Sequence, residues 1–296
     1  MEEHGLTVGE ALIWAFGELS GALIPSPRGE AEFLLMHVLD CRRHELFLNA
    51  RRLLSQREYT LLREAVARRL KREPVQYIFG EAEFRGRAFK VTRAVLIPRP
   101  ETELLVEEAL KEAPSFGPGS LTVIDLCTGS GCIAVSAALD MGCEVFATDI
   151  SEKALDIAKE NAQRLGAAQR VSFLCGDLFG PIPEKIKGRA HMLLTNPPYI
   201  TEKDMGALAP EVKDFEPRQA LYGGSDGLAI IRRILTDGPE YLTPGGLLLM
   251  EIGYDQSETA SQLAKDSGGY DHIEILKDYA GIGRILKARS KQQDRC

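Results

Sequence analysis

The chain has 296 residues, 44% of them apolar, and a formal net charge of −7. That composition supplies a core for one large domain or two modest ones, and no run approaches the ~18 consecutive apolar residues of a membrane span. The acidic balance speaks against a surface that tracks a nucleic-acid backbone throughout, though not against a local basic patch. The opening Met1-Glu2-Glu3-His4-Gly5 lacks the apolar core of a secretion signal, so a cytoplasmic protein with no membrane partner is expected. Six cysteines stand at 41, 127, 132, 143, 175 and 296, without a C-x-x-C pair or a His cluster, and no metal site is expected. Several lie in apolar runs, where a reduced thiol behaves as a small hydrophobe.

Residues 1–73 read as helices only. Thr7-Val8-Gly9-Glu10 has capping-box spacing and opens an apolar-periodic stretch through Leu19. Ser26-Pro27 supplies an N-cap and a first-turn proline for a second helix through Leu39. Ser55-Gln56-Arg57-Glu58 caps a third, which Pro74 ends. The result is a small all-α bundle. Its many basic residues (Arg42, Arg43, Arg51, Arg52, Arg57, Arg63, Arg68, Arg69, Lys71 and Arg72) read as a solvated helix face rather than a dedicated anion site.

The pattern changes over 74–99. Phe84 before Gly86, and Phe89, Val91, Val95 and Ile97 after it, read as a β-hairpin linker. A helix is expected from Pro100 to Ala113, then a loop over Pro114–Ser120. From 121 short apolar strands alternate with helical stretches. Strands are expected at 121–126, 144–148, 170–175, 191–195 and 246–252, and helices around 131–140, 152–165, 227–240 and 255–266. Alternation of this kind implies a Rossmann-like parallel sheet with helices on both faces. Residues 273–276 and 284–288 read as a closing strand pair. The stretch 200–226 shows no secondary structure and, following directly on residues 196–199, reads as a lid.

The junction of the first of these strands with its helix carries Asp125-Leu126-Cys127-Thr128-Gly129-Ser130-Gly131. An acid at a strand end followed by small residues lets the backbone turn tightly and approach a ligand closely. Gly129-Ser130-Gly131-Cys132-Ile133-Ala134 alone also fits a dinucleotide loop, but Asp125 tips the pattern towards the D-x-G-x-G-x-G loop of methyltransferases. There the acid faces the methionine end of the cofactor, directly or through water. Cys127 stands where that loop usually has Gly, an unfavourable choice if the position needs a positive φ. Asp149, 24 residues after Asp125, closes the second strand, where a carboxylate can accept both ribose hydroxyls. Asp177-Leu178 follows the third, where an Asp can accept from an adenine amino group. Each Asp alone could be a helix N-cap. Three at successive strand ends, beside a small-residue loop, point to a nucleotide site.

Asn196-Pro197-Pro198-Tyr199 follows the strand His191–Thr195 and is the most specific element of the chain. A planar amide or amino nitrogen is a poor nucleophile because its lone pair is delocalised. Its attack on a sulfonium methyl needs two acceptors that hold both N–H protons and aim the lone pair. The Asn196 side-chain oxygen and the Pro197 carbonyl can supply them, Pro198 stiffens the turn, and Tyr199 can stack on the planar group. An ordinary Asn-Pro turn would explain the prolines but not their placement beside a cofactor loop.

The same tetrapeptide serves adenine-N6 methyltransferases, so a nucleic-acid enzyme is the alternative. The acidic balance and the single Trp14 argue against it. Three further segments decide: Ile97-Pro98-Arg99-Pro100-Glu101-Thr102-Glu103, Glu216-Pro217-Arg218-Gln219-Ala220-Leu221-Tyr222-Gly223-Gly224-Ser225-Asp226-Gly227-Leu228, and Glu251-Ile252-Gly253. With these, nearly the whole chain resembles the glutamine-N5 methyltransferases of peptide chain release factors (the HemK/PrmC family). Near the tail it has Gly283 before Arg284 where the family often has Asp. The resemblance implies a class I methyltransferase domain over 100–296 with a mostly parallel seven-stranded sheet, and a bundle over 1–73 that recognises the protein substrate. It implies methyl transfer from S-adenosylmethionine, leaving S-adenosylhomocysteine, to the glutamine of a Gly-Gly-Gln loop, with no stable nucleic-acid partner. Carried over, the cofactor site is Asp125, Cys127, Thr128, Gly129, Ser130, Gly131, Asp149, Asp177, Leu178 and Asn196. The catalytic set is Asn196, Pro197, Pro198 and Tyr199; the roles of Arg99, Arg218 and the tail stay open.

Overall fold

The computed structural model describes residues 5–117 and 119–291; Met1–His4, Pro118 and residues 292–296, Cys296 among them, lie outside the described residues. The N-terminal part is helical: α1 (Val8–Gly21), α2 (Pro27–Leu39), α3 (Arg43–Leu48), α4 (Gln56–Leu70) and α5 (Val75–Phe79). The capping boxes at Thr7 and Ser55 form as their spacing predicts, each hydroxyl accepting from the N3 amide while the N3 Glu accepts from the cap amide. Ser26 differs. It sits in left-handed backbone (φ 50°) without a capping hydrogen bond, so the helix start is set by the fixed φ of Pro27. Pro74 does not end α4, which stops at Leu70, but is the N-cap of the short α5. Leu19, Leu34, Leu35 and Leu62 are fully buried in the bundle core, against which Val75, Ile78 and Phe79 of α5 pack.

The chain separates into two compact units, one running to Gly80 and including Ala209–Phe215, the other comprising Glu81–Leu208 and the chain from Glu216 on. Half of the helical unit's ten basic residues named above form ion pairs. Arg43 meets Glu32, Arg52 meets Glu58 and Arg68 meets Glu73. Arg69, only 3% exposed, binds both Glu30 (2.8 Å) and Glu211 (3.0 Å), and Arg72 also reaches Glu211.

The second unit opens with the hairpin β1 (Glu81–Phe84) and β2 (Arg87–Lys90), joined by Arg85-Gly86, both at positive φ, the geometry that matches strand twist. Its Phe84 and Phe89 are fully buried in the unit's core with Leu105 and Val106, each contributing roughly 1.5–3 kcal/mol by area. The hairpin is therefore part of this core, and residues 91–99 are irregular. There follow α6 (Pro100–Glu112), β3 (Thr122–Leu126), α7 (Cys132–Met141), β4 (Glu144–Asp149), α8 (Glu152–Leu165), β5 (Val171–Cys175) and β6 (Ala190–Thr195). The stretch expected to lack structure contains three single turns, α9 (Glu202–Met205), α10 (Pro210–Lys213) and α11 (Arg218–Leu221). The chain closes with α12 (Ala229–Tyr241), β7 (Leu242–Glu251), α13 (Ser257–Asp266), β8 (Tyr270–Lys277) and β9 (Gly283–Ser290).

The seven strands lie in the order β5-β4-β3-β6-β7-β9-β8, parallel except for β9, which is antiparallel to both neighbours. This is the Rossmann-like, mostly parallel seven-stranded sheet expected from the alternation of strands and helices. One apolar layer lies against α6 and α7, the other against α12 and α13. Gly283 starts β9 tightly: a Cβ there would meet the Ser257 hydroxyl and, at 2.8 Å, Ile275, so an Asp could not be seated without repacking. Among the described residues no helix is long and apolar enough to cross a membrane.

Candidate active site

Register places the chemistry. Leu126 pairs with Thr148 on one side and Thr195 on the other, Thr195 pairs with Met250, and Thr148 with Leu174. The next residue of each strand, Cys127, Asp149, Asn196, Glu251 and Cys175, therefore emerges along one edge, where ligands of open α/β sheets bind. Thr195 is fully buried and its hydroxyl donates to the Leu126 carbonyl (2.9 Å), fixing the Asn196–Tyr199 turn against the loop that follows Leu126.

That loop is wound tightly. Cys127 (φ 59°), Gly129 (54°) and Gly131 (79°) all take left-handed backbone. For Cys127 this costs roughly 1–2 kcal/mol relative to a glycine, so the substitution falls where positive φ is required. The Thr128 amide donates to the Thr148 carbonyl (2.9 Å) and the Gly129 amide to Asp149 Oδ2 (2.9 Å). Asn161 of α8 donates to the Ser130 carbonyl (2.9 Å).

A cavity of about 520 Å³ lies over this edge. Of the residues singled out by sequence, Cys127, Gly129, Asp149, Asp177, Leu178, Asn196 and Pro198 line it. Thr128, Ser130, Gly131, Pro197 and Tyr199 support it without lining it, and so does Asp125. Asp125 is fully buried beneath the loop rather than on the wall, where Oδ2 accepts from the Thr128 hydroxyl (2.6 Å) and the Ala134 amide (3.2 Å). Burial pushes its carboxyl up to about 7. Asp149 receives the Gly129 and Ser151 amides, one on each oxygen, and burial raises its pKa. Each oxygen keeps a second lone pair, so a ribose diol would still find two acceptors. Asp177 lines the cavity and is also ion-paired. Its carboxylate is held by both guanidinium nitrogens of Arg233 (3.1 and 2.7 Å).

On the opposite wall the Asn196 amide nitrogen donates to Thr102 Oγ1 (3.1 Å), and that hydroxyl donates to Glu251 Oε2 (2.6 Å). Tyr199 OH donates to Glu251 Oε1 (3.2 Å), and burial raises its pKa. Gln256 staples the turn by donating to the carbonyls of Tyr199 (3.1 Å) and Gly227 (3.2 Å). Gly227 has no room for a side chain, since a Cβ would run into the Tyr199 carbonyl, which accounts for the glycine in that segment. Arg99 and Arg218 also gain positions. Arg99 pairs with the buried Glu216 (2.5 Å), whereas Arg218 lines the cavity, pairs with Glu202 (2.8 Å) and lies over the Tyr222 ring. Residues 217–222 thus form part of the wall, and the Ile200 amide donates to the Leu221 carbonyl (2.9 Å). Thr102, Glu251 and Gln256 carry no sequence signal for their roles; the first two lay inside family-like segments without an assigned function.

A glycine-turned loop at the first parallel strand, an acid at the end of the second and an Asn-Pro-Pro-Tyr turn at the fourth, all around one cavity, define an S-adenosylmethionine-dependent methyltransferase. Residues 119–271 match a methyltransferase domain model, and residues 10–80 match the PrmC N-terminal domain. Among solved structures, a methyltransferase from Pyrococcus furiosus superposes with a TM-score of 0.52 at 17% identity, covering 70% of this chain and 91% of that one, a likeness of fold. The release factor glutamine methyltransferase of Geobacter sulfurreducens is 42% identical over 96% of both chains. That of Koribacter versatilis is 42% identical over 96% of this chain and 99% of its own. The chain belongs to the release factor glutamine methyltransferase family.

Proposed function

We propose that this protein methylates the side-chain amide nitrogen of the glutamine in the Gly-Gly-Gln loop of peptide chain release factors, in the cytoplasm where those factors act. The observation that carries this reading is the shared cavity: Asn196 and Pro198 line the same cavity as Asp149, Cys127 and Gly129. A volume of about 520 Å³ is in the range of cofactor pockets. Asp149 would hold the ribose, Leu178 and Ile230 would flank the base, and the glycine turn would admit the methionine portion. When bound, S-adenosylmethionine supplies an electrophilic methyl on a sulfonium. The chain's own part is to present acceptors. Asn196 Oδ1 and the Pro197 carbonyl would accept hydrogen bonds from the two N–H groups of the substrate glutamine, leaving its lone pair directed at the methyl. As the N–C bond forms the nitrogen becomes more acidic, so these acceptors gain strength in the transition state.

The helical unit is read as the protein-recognition module. Among the described residues it exposes Ile13, Phe16, Leu23, Phe47, Leu48, Leu53 and Leu61, the type of surface a protein partner covers. The test is mass spectrometry of a release factor incubated with this enzyme and S-adenosylmethionine. One added methyl on the loop glutamine is expected. A methyl elsewhere on the factor, or none, would contradict the assignment.

A further inference from the structure

An asparagine amide is nearly symmetric in shape but opposite in function at its two ends. Only its oxygen can accept a hydrogen bond from a substrate N–H; turned over, Asn196 would present N–H to N–H and disable the clamp. Its orientation must therefore be enforced by neighbours.

The neighbours form a chain with one permitted direction. Thr102 Oγ1 lies 2.6 Å from Glu251 Oε2 and 3.1 Å from Asn196 Nδ2. A hydroxyl has a single proton, and an ionised carboxylate can only accept. With Glu251 ionised, the Thr102 proton is committed to it, and only the Thr102 lone pairs remain for Asn196. A lone pair is met by the amide NH₂, which turns the amide oxygen away from Thr102. Tyr199 OH donates to the other Glu251 oxygen (3.2 Å), so both faces of the carboxylate are held by hydroxyls. Thr102 and Glu251 are 2% exposed, which leaves little water to scramble the directions. The three residues come from α6, the turn after β6 and the end of β7, a convergence that packing alone does not require.

We propose that Glu251, acting through Thr102, is a positioning residue that fixes which end of the Asn196 amide faces the substrate nitrogen. The inference rests on the glutamine-methylation reading above. A proton on Glu251 reverses the chain: the carboxylic acid donates to Thr102, Thr102 donates to Asn196, and the amide oxygen is drawn away from the substrate. Burial pushes the Glu251 carboxyl up to about 7, so the reversal falls near neutrality. The groups facing it are Thr102 and Glu101 from α6, Tyr199 from the catalytic turn, Arg284 from β9 and Cys132 from α7.

The experiment is single-turnover methyl transfer to intact release factor at saturating S-adenosylmethionine, with cofactor affinity measured separately. Thr102→Val keeps the shape and removes the relay, and should slow transfer roughly 10- to 100-fold with cofactor affinity unchanged. Thr102→Ser restores the hydroxyl and should recover most of the rate, which separates direction from packing. Glu251→Gln cannot ionise, so the fall in rate as pH drops through neutrality should flatten. Near-wild-type rates in Thr102→Val, no recovery in Thr102→Ser, or an unaltered acid limb in Glu251→Gln would each overturn the relay. Absence of transfer by the wild-type protein would instead overturn the reading beneath it.

Discussion

The two units differ in how many apolar groups they expose and in what meets most of their buried charges. In the helical unit seven large apolar side chains stand exposed, against four (Ile150, Tyr254, Tyr279 and Ile282) in the described part of the larger catalytic unit. Buried charge differs as well, although one buried acid of the catalytic unit, Glu216, is also met by a cation, Arg99. Glu32 and Arg69 of the helical unit are met by ions of the other sign. The buried Asp125 and Glu251 of the catalytic unit are met by the hydroxyls of Thr128, Thr102 and Tyr199. An ion pair neutralises a charge and holds a fold together. A hydroxyl leaves the charge in place and passes its direction on to the next group. The first arrangement suits a rigid docking body, the second a site where the sense of each hydrogen bond matters.

The largest effect should come from removing the group at the end of such a chain. Asn196→Ala should lower single-turnover methylation on the order of 10²–10³, about 2.7–4 kcal/mol, with cofactor affinity retained, because the contact strengthens in the transition state. Retention of the rate would make the Asn-Pro-Pro-Tyr turn a structural feature only. Asp149→Ala should act on binding instead. Losing hydrogen bonds to a charged acceptor costs roughly 1.5–3 kcal/mol, about 10- to 150-fold in S-adenosylmethionine affinity by calorimetry. Unchanged affinity in the folded variant would remove Asp149 from the cofactor site.

How far these contrasts could be read from sequence depends on the range of the contacts. The strands of the parallel sheet were legible because each is a short apolar run between turn signals, and α1 and α4 because their capping boxes are local. Short helices escaped: α3 spans six residues, α5 five and α9, α10 and α11 four each, too few for a 3.6-residue period to show. The Asp125–Gly131 loop and the Asn196–Tyr199 turn stand out in the sequence as local motifs, and both lie at the cavity. Thr102 and Glu251 do not, since they meet across 149 residues and neither has a local pattern. Glu211 is similar: a glutamate in an apparent loop proves to anchor that segment to Arg69 and Arg72 of the helical unit.

Smaller effects should separate the units. Replacing Phe47 and Leu48 together by Ser, both exposed, should raise KM for intact release factor roughly 5- to 30-fold, the loss of 1–2 kcal/mol at an apolar anchor, while cofactor affinity holds. An unchanged KM would place docking elsewhere. Thr7→Ala removes the α1 cap and should cost about 1 kcal/mol of stability in chemical denaturation. The same variant should bind S-adenosylmethionine normally; weakened binding would show that the helical unit shapes the cofactor site.

The central claim concerns the acceptor atom. It is tested most directly by transfer of a labelled methyl group from S-adenosylmethionine to three acceptors offered in parallel: intact release factor, the same factor with its loop glutamine replaced by glutamate, and adenine-containing nucleic acid. The account predicts label on the intact factor alone. Equal labelling of the glutamate form, or label on the nucleic acid, would contradict it.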